Sequence, residues 1–429
     1  MTVERTLCSE LPATTGPVTV AGWIHRRRTL ASVVFVVVRD RSGFAQVVVD
    51  DSAVREQVSA LPEETTVRVR GTAVANTKAP GGVEIVDPVI QPLGAPSQPQ
   101  PVDLWRPTLH ATLPTLLDHA ALTWRHPSRR AVWQIAAATL AGFRSHLDGL
   151  GFTEVTTPKI VGQTTESGAN VFSLNYFGTD AYLAQSPQLY KQMLTGVFER
   201  VYEVGPVFRA EPHDTTRHLA EYVSLDVEFG FIDDHRDVLA MLRGVLAAMV
   251  DAVREKASAA VELLSASLPA VPESIPVLHF REALRLVGAP EDEPDLAPEH
   301  ERVLGAWAKS RFGSDFLAVE GYPAVKRPFY THPQPGDARW TNSFDLLFRG
   351  VELVTGGQRL HNHADYLAAL SRRGEDPADY APYLEAMSHG MPPHGGFAIG
   401  LERFVARLLG LDNVRYATLF PRDIHRLSP

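Results

Sequence analysis

The chain has 429 residues, of which 45% are hydrophobic, and its formal net charge is −9. That length and composition predict a soluble protein of two or three domains, and the negative charge argues against indiscriminate nucleic-acid binding, which requires a basic surface. No apolar run approaches the roughly 20 residues that cross a bilayer, and the N-terminus MTVERTLCSE lacks the apolar region of a secretory signal, so we expect a cytoplasmic protein without a membrane partner. The single cysteine, Cys8, excludes an intramolecular disulfide, and no Cys/His spacing predicts a zinc site.

Residues 18–90 have the pattern of short β-strands separated by turns. The strand-like runs are VTVAGWI, SVVFVVVRD, FAQVVVD, TVRVRGTAV and VEIVDPVI, and turn sequences such as DRSG and APGG lie between them. This pattern predicts a small closed barrel. Residues 1–100 contain ten basic and ten acidic residues, so the rest of the chain carries the whole net negative charge, and this part is the more available to a polyanion.

A proline-rich stretch without periodicity, QPLGAPSQPQPVDLWRP, predicts a linker, and we expect a second domain to begin after it. Residues 129–149 have the apolar spacing of a helix, which Gly151 would end. Strands and helices then mix without regular βαβ alternation, which favours an α+β fold with an antiparallel sheet over a doubly wound parallel one. Proline-bounded pieces and a charged helical stretch suggest an insertion over residues 269–335.

Two polar segments carry the strongest chemical signals. FRAEPHDTTRHLAEYVSLDVEF, residues 208–229, interleaves arginines and acids between strand-like flanks; these suit phosphate or base partners, but a solvated hairpin whose charges pair with each other is an alternative. GGFAIGLERFVARLLG, residues 395–410, places Glu402 and Arg403 at the start of an amphipathic helix, where backbone amides also point toward an anion. Taken alone, such a segment is more often just a helix N-terminus.

Together the two segments resemble the second and third signature motifs of class II aminoacyl-tRNA synthetases, and TEVTTPKI, with Pro158, resembles the first. The resemblance covers nearly the whole chain. Its finer detail is similar to the aspartyl members, particularly the compact archaeal-type (class IIb) form. The matching strings are QSPQLYKQ at 185–192, FDLLFRGVELVTGGQR at 344–359, PPHGG at 392–396 and FPRD at 420–423.

The resemblance implies a particular architecture and reaction. A five-stranded OB-fold anticodon-binding barrel would occupy residues 1–93, a hinge residues 94–128, and a class II catalytic domain, an antiparallel sheet flanked by helices, residues 129–429. The domain would form a homodimer through the first motif. The enzyme would activate L-aspartate with ATP and Mg²⁺ and transfer it to tRNA.

Several residues acquire roles in ATP binding from the resemblance. Arg209 would hold the α-phosphate and Arg403 the γ-phosphate, where guanidinium geometry favours bidentate contacts. Catalysis would consist of positioning and electrostatic stabilisation, without a protein nucleophile. The remaining roles are Glu211 at the adenine amino group, Tyr222 stacked on its ring, and Arg217 and His218 lining the site.

The resemblance places the metal on Glu352 and Thr355, which supply the hard oxygen ligands that Mg²⁺ prefers. Glu352 is thereby grouped with Arg209 and Arg403 as catalytic. The family usually has serine at the position of Thr355, and threonine retains the hydroxyl. Thr355 would also border the aspartate site.

The amino-acid pocket implied by the resemblance has charges at both ends. Lys191 and Arg359, helped by Gln188, would bind the β-carboxylate of aspartate, while Glu166 and Asp226 would face its ammonium group. Asparagine would leave a buried lysine without a counter-charge, at a cost on the order of 1–3 kcal/mol or more. We therefore expect aspartate to be the substrate.

The substrate-closing loop, TTESGANVF, departs from the family pattern TEGGAELF. Ser167 replaces a glycine and Asn170 a glutamate. Loss of a hinge glycine restricts the backbone, so closure or selectivity is expected to differ.

The strand pair GWIHRRRTLASVVFVVVRDRSGFAQVVV resembles the anticodon reader of the family. Phe35 would stack on the middle uridine, Gln46 would hydrogen-bond its edge, and Arg28 would bind backbone or base. The alternative for Phe35 is an ordinary core position in a strand. His25 and Pro80 stand where strict enzymes tend to have tryptophan and lysine, which favours a non-discriminating enzyme that aspartylates both tRNA(Asp) and tRNA(Asn). The second product would require an amidotransferase partner.

Other functions remain open from the sequence. A discriminating aspartyl enzyme and an asparaginyl-tRNA synthetase share the scaffold, although the asparaginyl enzyme should lack the lysine of QSPQLYKQ. A paralogue with a binding or regulatory role is a third alternative, against which the intact Arg209, Glu352 and Arg403 weigh.

Overall fold

The computed structural model describes residues 5–162, 170–212 and 214–428. The chain divides into two compact units, Met1–His119 and Ala120–Pro429. The domain boundaries at residues 93 and 128 fall on either side of this division and stay a prediction. Within the described ranges, no helix has the length and apolar character needed to span a membrane.

The first unit is built on a closed barrel with the strand order β1-β2-β3-β5-β4. Its strands alternate between inward apolar and outward residues, and inward residues such as Val36, Val47 and Ile85 are fully buried. The predicted barrel is confirmed. The elements of this unit are β1 (Gly16–Thr29), β2 (Val34–Arg39), β3 (Phe44–Val49), α1 (Ser52–Ser59), β4 (Thr66–Ala75), β5 (Val83–Pro92) and α2 (Leu113–Asp118).

The strands of the second unit are β6 (Thr153–Glu154), β7 (Ile160–Val161), β8 (Ser173–Tyr176), β9 (Thr179–Leu183), β10 (Arg200–Phe208), β11 (Glu221–Gly230), β12 (Val277–His279), β13 (Phe316–Glu320), β14 (Pro333–Gln334), β15 (Asp337–Thr341), β16 (Ser343–Phe348), β17 (Val351–Gln358) and β18 (His394–Gly400). Eight of them form the main sheet, in the order β12-β13-β16-β17-β18-β11-β10-β6, while β7, β9 and β8 form a three-stranded sheet and β14 pairs with β15. The helices of this unit are α3 (Ala120–Thr123), α4 (Pro127–Gly149), α5 (Gln188–Phe198), α6 (His235–Lys256), α7 (Ser258–Leu263), α8 (Phe280–Val287), α9 (Pro298–Phe312), α10 (His363–Arg373), α11 (Ala381–Met387) and α12 (Leu401–Leu409).

Antiparallel pairing joins β13, β16, β17, β18, β11 and β10, which confirms the expected antiparallel sheet. Parallel pairs occur at the two edges, where β12 joins β13 and β6 joins β10. Residues 269–335 therefore contribute two strands, β12 and β13, to the main sheet. The charged helical stretch in that region forms α9.

The main core lies where α4 and α6 pack against the sheet. The predicted helix at 129–149 is confirmed as α4, which begins with Pro127 in its first turn and is capped by the His126 side chain. Gly142 allows the close approach, because a Cβ there would lie 2.6 Å from the carbonyl oxygen of Ala248 in α6. On β11, Leu225 belongs to this core, whereas its neighbours on the strand line a cavity.

Candidate active site

A cavity of about 510 Å³ lies against the sheet of the second unit. Alternate residues of β11 reach its wall, as do the starts of α5 and α12 and parts of β17. The wall brings together residues from distant parts of the sequence. Those implied by the resemblance are Gln188, Arg209, Glu211, Arg217, His218, Tyr222, Asp226, Glu352, Thr355, Arg359 and Arg403.

Four residues of the expected amino-acid site and its loop are not among the residues of the cavity wall. Lys191 lies beneath the wall, with only 2% of its surface exposed. Glu166 and Ser167 lie outside the described residues, so their roles stay predictions. Asn170 is described, and its carbonyl oxygen accepts a hydrogen bond of 3.2 Å from the amide of Ala210.

Arginines converge on one part of the cavity. Arg403, in the first turn of α12 as predicted, donates through Nη1 to the carbonyl oxygen of Glu352 at 3.2 Å and through Nη2 to that of Arg217 at 3.4 Å. Arg209 follows β10, and its Nη1 lies 3.9 Å from Oε1 of Glu211. Three guanidinium groups thus border one space, which suits a polyphosphate.

Carboxylates lie beside these arginines. Asp345 on β16 pairs in register with Thr355 on β17, whose hydroxyl donates to Oε1 of Glu352 at 3.4 Å. The pKa of Glu352 is raised to about 7, first because the protein withdraws the carboxyl from water and second because Asp345 lies close by. Surplus negative charge of this kind favours a bound cation.

Asp345 is itself only partly satisfied. Its Oδ2 lies 2.8 Å from Nη2 of Arg327, whereas its buried Oδ1 has no hydrogen-bond partner among the described residues. No group of three or more His, Cys, Asp or Glu side chains with metal-binding geometry occurs in the described part of the chain. A metal at this point would therefore take two carboxylates and a hydroxyl from the protein and further oxygens from its ligand.

Side chains of opposite charge in the expected amino-acid pocket form a row. The Nη and Nε atoms of Arg359 face Glu228, with Nε to Oε1 at 2.9 Å; Glu228 Oε2 lies 3.4 Å from Nζ of Lys191; and Lys191 Nζ lies 3.0 Å from Oδ1 of Asp226. Burial alone would raise the pKa of Glu228, but Arg359 and Lys191 together hold it below its ordinary value. All four side chains are buried.

This row corrects one step of the sequence argument. We expected Lys191 to lack a counter-charge unless the substrate supplied a carboxylate, and that expectation is wrong because Asp226 and Glu228 already neutralise it. Glu228 was not singled out from the sequence. Its position two residues after Asp226 on one strand was the available signal, since such residues share a face.

Asp345 and Arg327 were also missed. Asp345 is the second residue of the quoted string FDLLFRGVELVTGGQR and faces Thr355 across the strand pair. Arg327 lies in the cavity wall, although it belongs to residues 269–335, for which the sequence suggests an insertion. The pairing of β13 with β16 and the bridge between Thr331 and Arg359 bring that segment to the site.

The first unit presents the residues of the expected anticodon reader on the outward face of β1, β2 and β3. Arg28 pairs with Phe35, and its guanidinium lies 5.7 Å from the centre of the phenylalanine ring. Phe35 is half-buried and alternates with core residues, so it is not a core position. Gln46 lies on the neighbouring strand, and its amide donates to Oε2 of Glu84 at 3.2 Å.

The two positions assigned to anticodon strictness belong to β1 and to the connection between β4 and β5. His25 stands at an irregularity between β1 and β2, with its ring 4.8 Å from that of Phe44. Pro80 begins the short 3₁₀ segment Pro80–Gly82 between β4 and β5.

Comparison with known proteins identifies the family. The sequence pattern of tRNA synthetases class II (D, K and N) matches residues 113–424, and that of the OB-fold nucleic acid binding domain matches residues 18–93. The chain belongs to the class II tRNA synthetases. The synthetase is thus an enzyme that forms aminoacyl-tRNA, and its barrel is an OB-fold, as the resemblance implied.

Individual relatives span the synthetase from end to end. It is 47% identical to the Aspartate--tRNA(Asp/Asn) ligase of Thermus thermophilus over 99% of this chain and 100% of that protein. It is 44% identical to the ligase of the same name from Deinococcus radiodurans, over 100% of this chain and 99% of that one. A crystal structure of asparaginyl-tRNA synthetase from Pyrococcus horikoshii, complexed with asparaginyl-adenylate, has a TM-score of 0.92 at 31% identity and full coverage of both chains. The fold therefore does not select between aspartate and asparagine.

Proposed function

We propose that this synthetase activates L-aspartate with ATP and transfers it to tRNA(Asp) and also to tRNA(Asn). The observation that carries the proposal is a single cavity that combines Arg209, Arg217 and Arg403 with Arg359 and Asp226. The first three suit a triphosphate, and the other two suit the opposite charges of an acidic amino acid. The names of the relatives from Thermus and Deinococcus support the same substrate.

Activation in this site is a matter of positioning. The α-carboxylate of aspartate attacks the α-phosphate of ATP in line, diphosphate leaves, and the terminal ribose hydroxyl of tRNA later attacks the mixed anhydride. Arg209 holds the α-phosphate and Arg403 the γ-phosphate, so both counter negative charge as the reaction proceeds. Other residues bind the adenine base of ATP. Glu211 meets the adenine amino group, Tyr222 stacks on the ring, and Arg217 and His218 complete the site.

Mg²⁺ fits the carboxylates beside these arginines. Glu352 and Thr355 would hold it, and the unpaired Oδ1 of Asp345 supports a further oxygen ligand at the same place. Bound there, the ion would neutralise phosphate charge. The protein's contribution is to keep these oxygens on two adjacent strands.

Aspartate occupies the part of the cavity next to the charged row. Arg359 binds the β-carboxylate and Asp226 faces the ammonium group, for which Glu166 stays a predicted partner from the sequence. Gln188 lines the cavity, and its buried Nε2 has no hydrogen-bond partner among the described residues, so it is available to the β-carboxylate. Lys191 contributes its charge from beneath the wall, where Asp226 and Glu228 hold it.

Charging of purified tRNA(Asp) and tRNA(Asn) transcripts tests the function directly. We expect aspartate to be attached to both transcripts and asparagine to neither. Attachment of asparagine would overturn the aspartyl assignment in favour of an asparaginyl enzyme. Activity on tRNA(Asp) alone would leave that assignment standing and refute the wider tRNA range, and a paralogue with a regulatory role would charge neither tRNA.

The breadth of tRNA use is proposed to depend on His25 and Pro80. We expect the double substitution His25→Trp and Pro80→Lys to lower charging of tRNA(Asn) by about 10–100-fold while tRNA(Asp) is little affected, because one base contact is typically worth ~1–3 kcal/mol. The ratio of kcat/KM for the two transcripts is the measurement, since specificity is a difference of affinities. Equal loss on both tRNAs would refute this role.

Two partners complete the proposal. A second copy of the chain would cover exposed apolar side chains of the second unit such as Ile160, Val197 and Phe231, which supports a homodimer. Sedimentation of the purified protein measures it. Asp-tRNA(Asn) would pass to an amidotransferase, since its amino acid does not match its anticodon.

A further inference from the structure

Helix α9 brings a buried carboxylate behind the nucleotide part of the cavity. Glu301 lies in the first turn of α9, is 4% exposed and does not belong to the cavity wall. The helix can come this close because a Cβ on Gly305 would lie 2.5 Å from the Cα of Gly350, and Gly350 has a φ of +71°. Two glycines thus allow α9 to rest on the turn that precedes β17.

Glu301 makes two hydrogen bonds with elements that line the cavity. Its Oε2 accepts from the backbone amide of Glu352 at 2.8 Å and from Nη1 of Arg217 at 3.2 Å. The first fixes the strand that carries the proposed metal ligand. The second is charge-assisted and fixes an arginine of the β10–β11 loop.

Arg403 also makes hydrogen bonds to the two residues that Glu301 contacts. It donates to the carbonyl oxygens of Glu352 and Arg217, the same two residues that donate to Glu301. Glu352 is therefore held at its amide by Glu301 and at its carbonyl by Arg403. Arg217 is held at its side chain by Glu301 and at its carbonyl by Arg403.

We propose that Glu301 is a positioning residue for ATP, an inference that rests on the function proposed above. It touches neither the substrates nor the reacting atoms. It keeps Arg217 and the Glu352 strand in the arrangement that the triphosphate requires, so that the site is ordered before the nucleotide enters. The row of Arg359, Glu228, Lys191 and Asp226 takes no part in these hydrogen bonds, so we expect aspartate binding to be little affected.

Steady-state ATP–pyrophosphate exchange by Glu301→Gln tests the proposal. The amide retains an acceptor for Glu352 but loses the charge that holds Arg217. We expect kcat/KM for ATP to fall roughly 10–100-fold, as is typical when a group that orients a ligand-binding residue is removed, with KM for aspartate within about two-fold. Equal losses for ATP and aspartate, or unchanged ATP parameters, would overturn the proposal.

The matched control is Glu299→Gln, which removes an exposed carboxylate from the same helical turn. It should leave both substrates unaffected, and a loss equal to that of Glu301→Gln would assign the effect to helix charge and overturn the proposal. Glu301→Asp covers the case in which the amide variant does not fold. It keeps the charge but shortens the reach, so kcat/KM for ATP should again fall selectively; unchanged values would overturn the proposal.

A double-substitution cycle tests whether Glu301 affects ATP binding through Arg217. If Glu301 acts through Arg217, adding Glu301→Gln to Arg217→Gln should cost less than about three-fold further, because the partner is already gone. Fully additive losses would overturn the proposal.

Direct binding of ATP with MgCl₂, measured by calorimetry without any amino acid, separates this inference from the proposed function. A wild type that fails to charge aspartate refutes the function, whereas equal ATP affinity in wild type and Glu301→Gln refutes only the role of Glu301.

Discussion

Replacement of Arg403 by alanine is expected to reduce aspartate-dependent ATP–pyrophosphate exchange by about 100-fold or more, the loss typical of removing one transition-state contact. The γ-phosphate would lose its proposed guanidinium contact, and the backbone carbonyls of Glu352 and Arg217 would lose their donor. Arg209→Ala should have a similar effect through the α-phosphate. Exchange kinetics of the purified, folded variants provide the measurement.

A matched control is Arg339→Ala, because Arg339 lies on β15 of the same unit, is exposed and pairs with Asp337. Its activity should remain close to that of the wild type. Near-normal exchange in either Arg403→Ala or Arg209→Ala would contradict the roles assigned to these arginines.

The second large effect is expected from Lys191→Leu. Removing this buried cation leaves Asp226 and Glu228 without it, so the negative charge beside the proposed β-carboxylate site increases. Truncating one member of a buried charge pair costs about 2 kcal/mol or more, which corresponds to at least a ~30-fold rise in KM for aspartate. KM for ATP should change far less, because the nucleotide contacts remain.

Thermal unfolding must accompany that measurement, since an unpaired buried carboxylate also destabilises the fold. Lys309→Leu, at an exposed lysine of α9 that pairs with Asp315, controls for loss of a positive charge outside the row. An equal rise in KM for both substrates, or a wild type that prefers asparagine, would show that the pocket had been assigned wrongly.

The parts of the fold that could be predicted are those specified by local patterns. The five barrel strands alternate apolar and polar residues, and α4 has helical apolar spacing with Pro127 at its start. The cavity residues were predictable for a different reason. Most lie in short contiguous strings, such as residues 208–229, whose residue types resemble those of a known family.

The rest depended on contacts between distant parts of the chain. Glu301 meets Glu352 across 51 positions, and Arg359 meets Glu228 across 131. No local pattern specifies such pairs, because each is set by which strands and helices become neighbours. The region read as an insertion illustrates the same limit, since its strand β13 is recognisable as part of the main sheet only through its pairing with β16.

The row of Arg359, Glu228, Lys191 and Asp226 restricts how the amino-acid preference of this scaffold could drift. The row contains two cations and two anions, so its charges cancel within a buried space. Any single substitution that adapts the pocket to an uncharged side chain leaves an odd charge without a partner, and the fold is weakened before a new preference is gained. A change of preference that keeps the buried charges balanced must replace a cation and an anion together, for example Lys191 with Glu228. The amino-acid preference proposed for this synthetase is therefore protected by the rarity of paired changes.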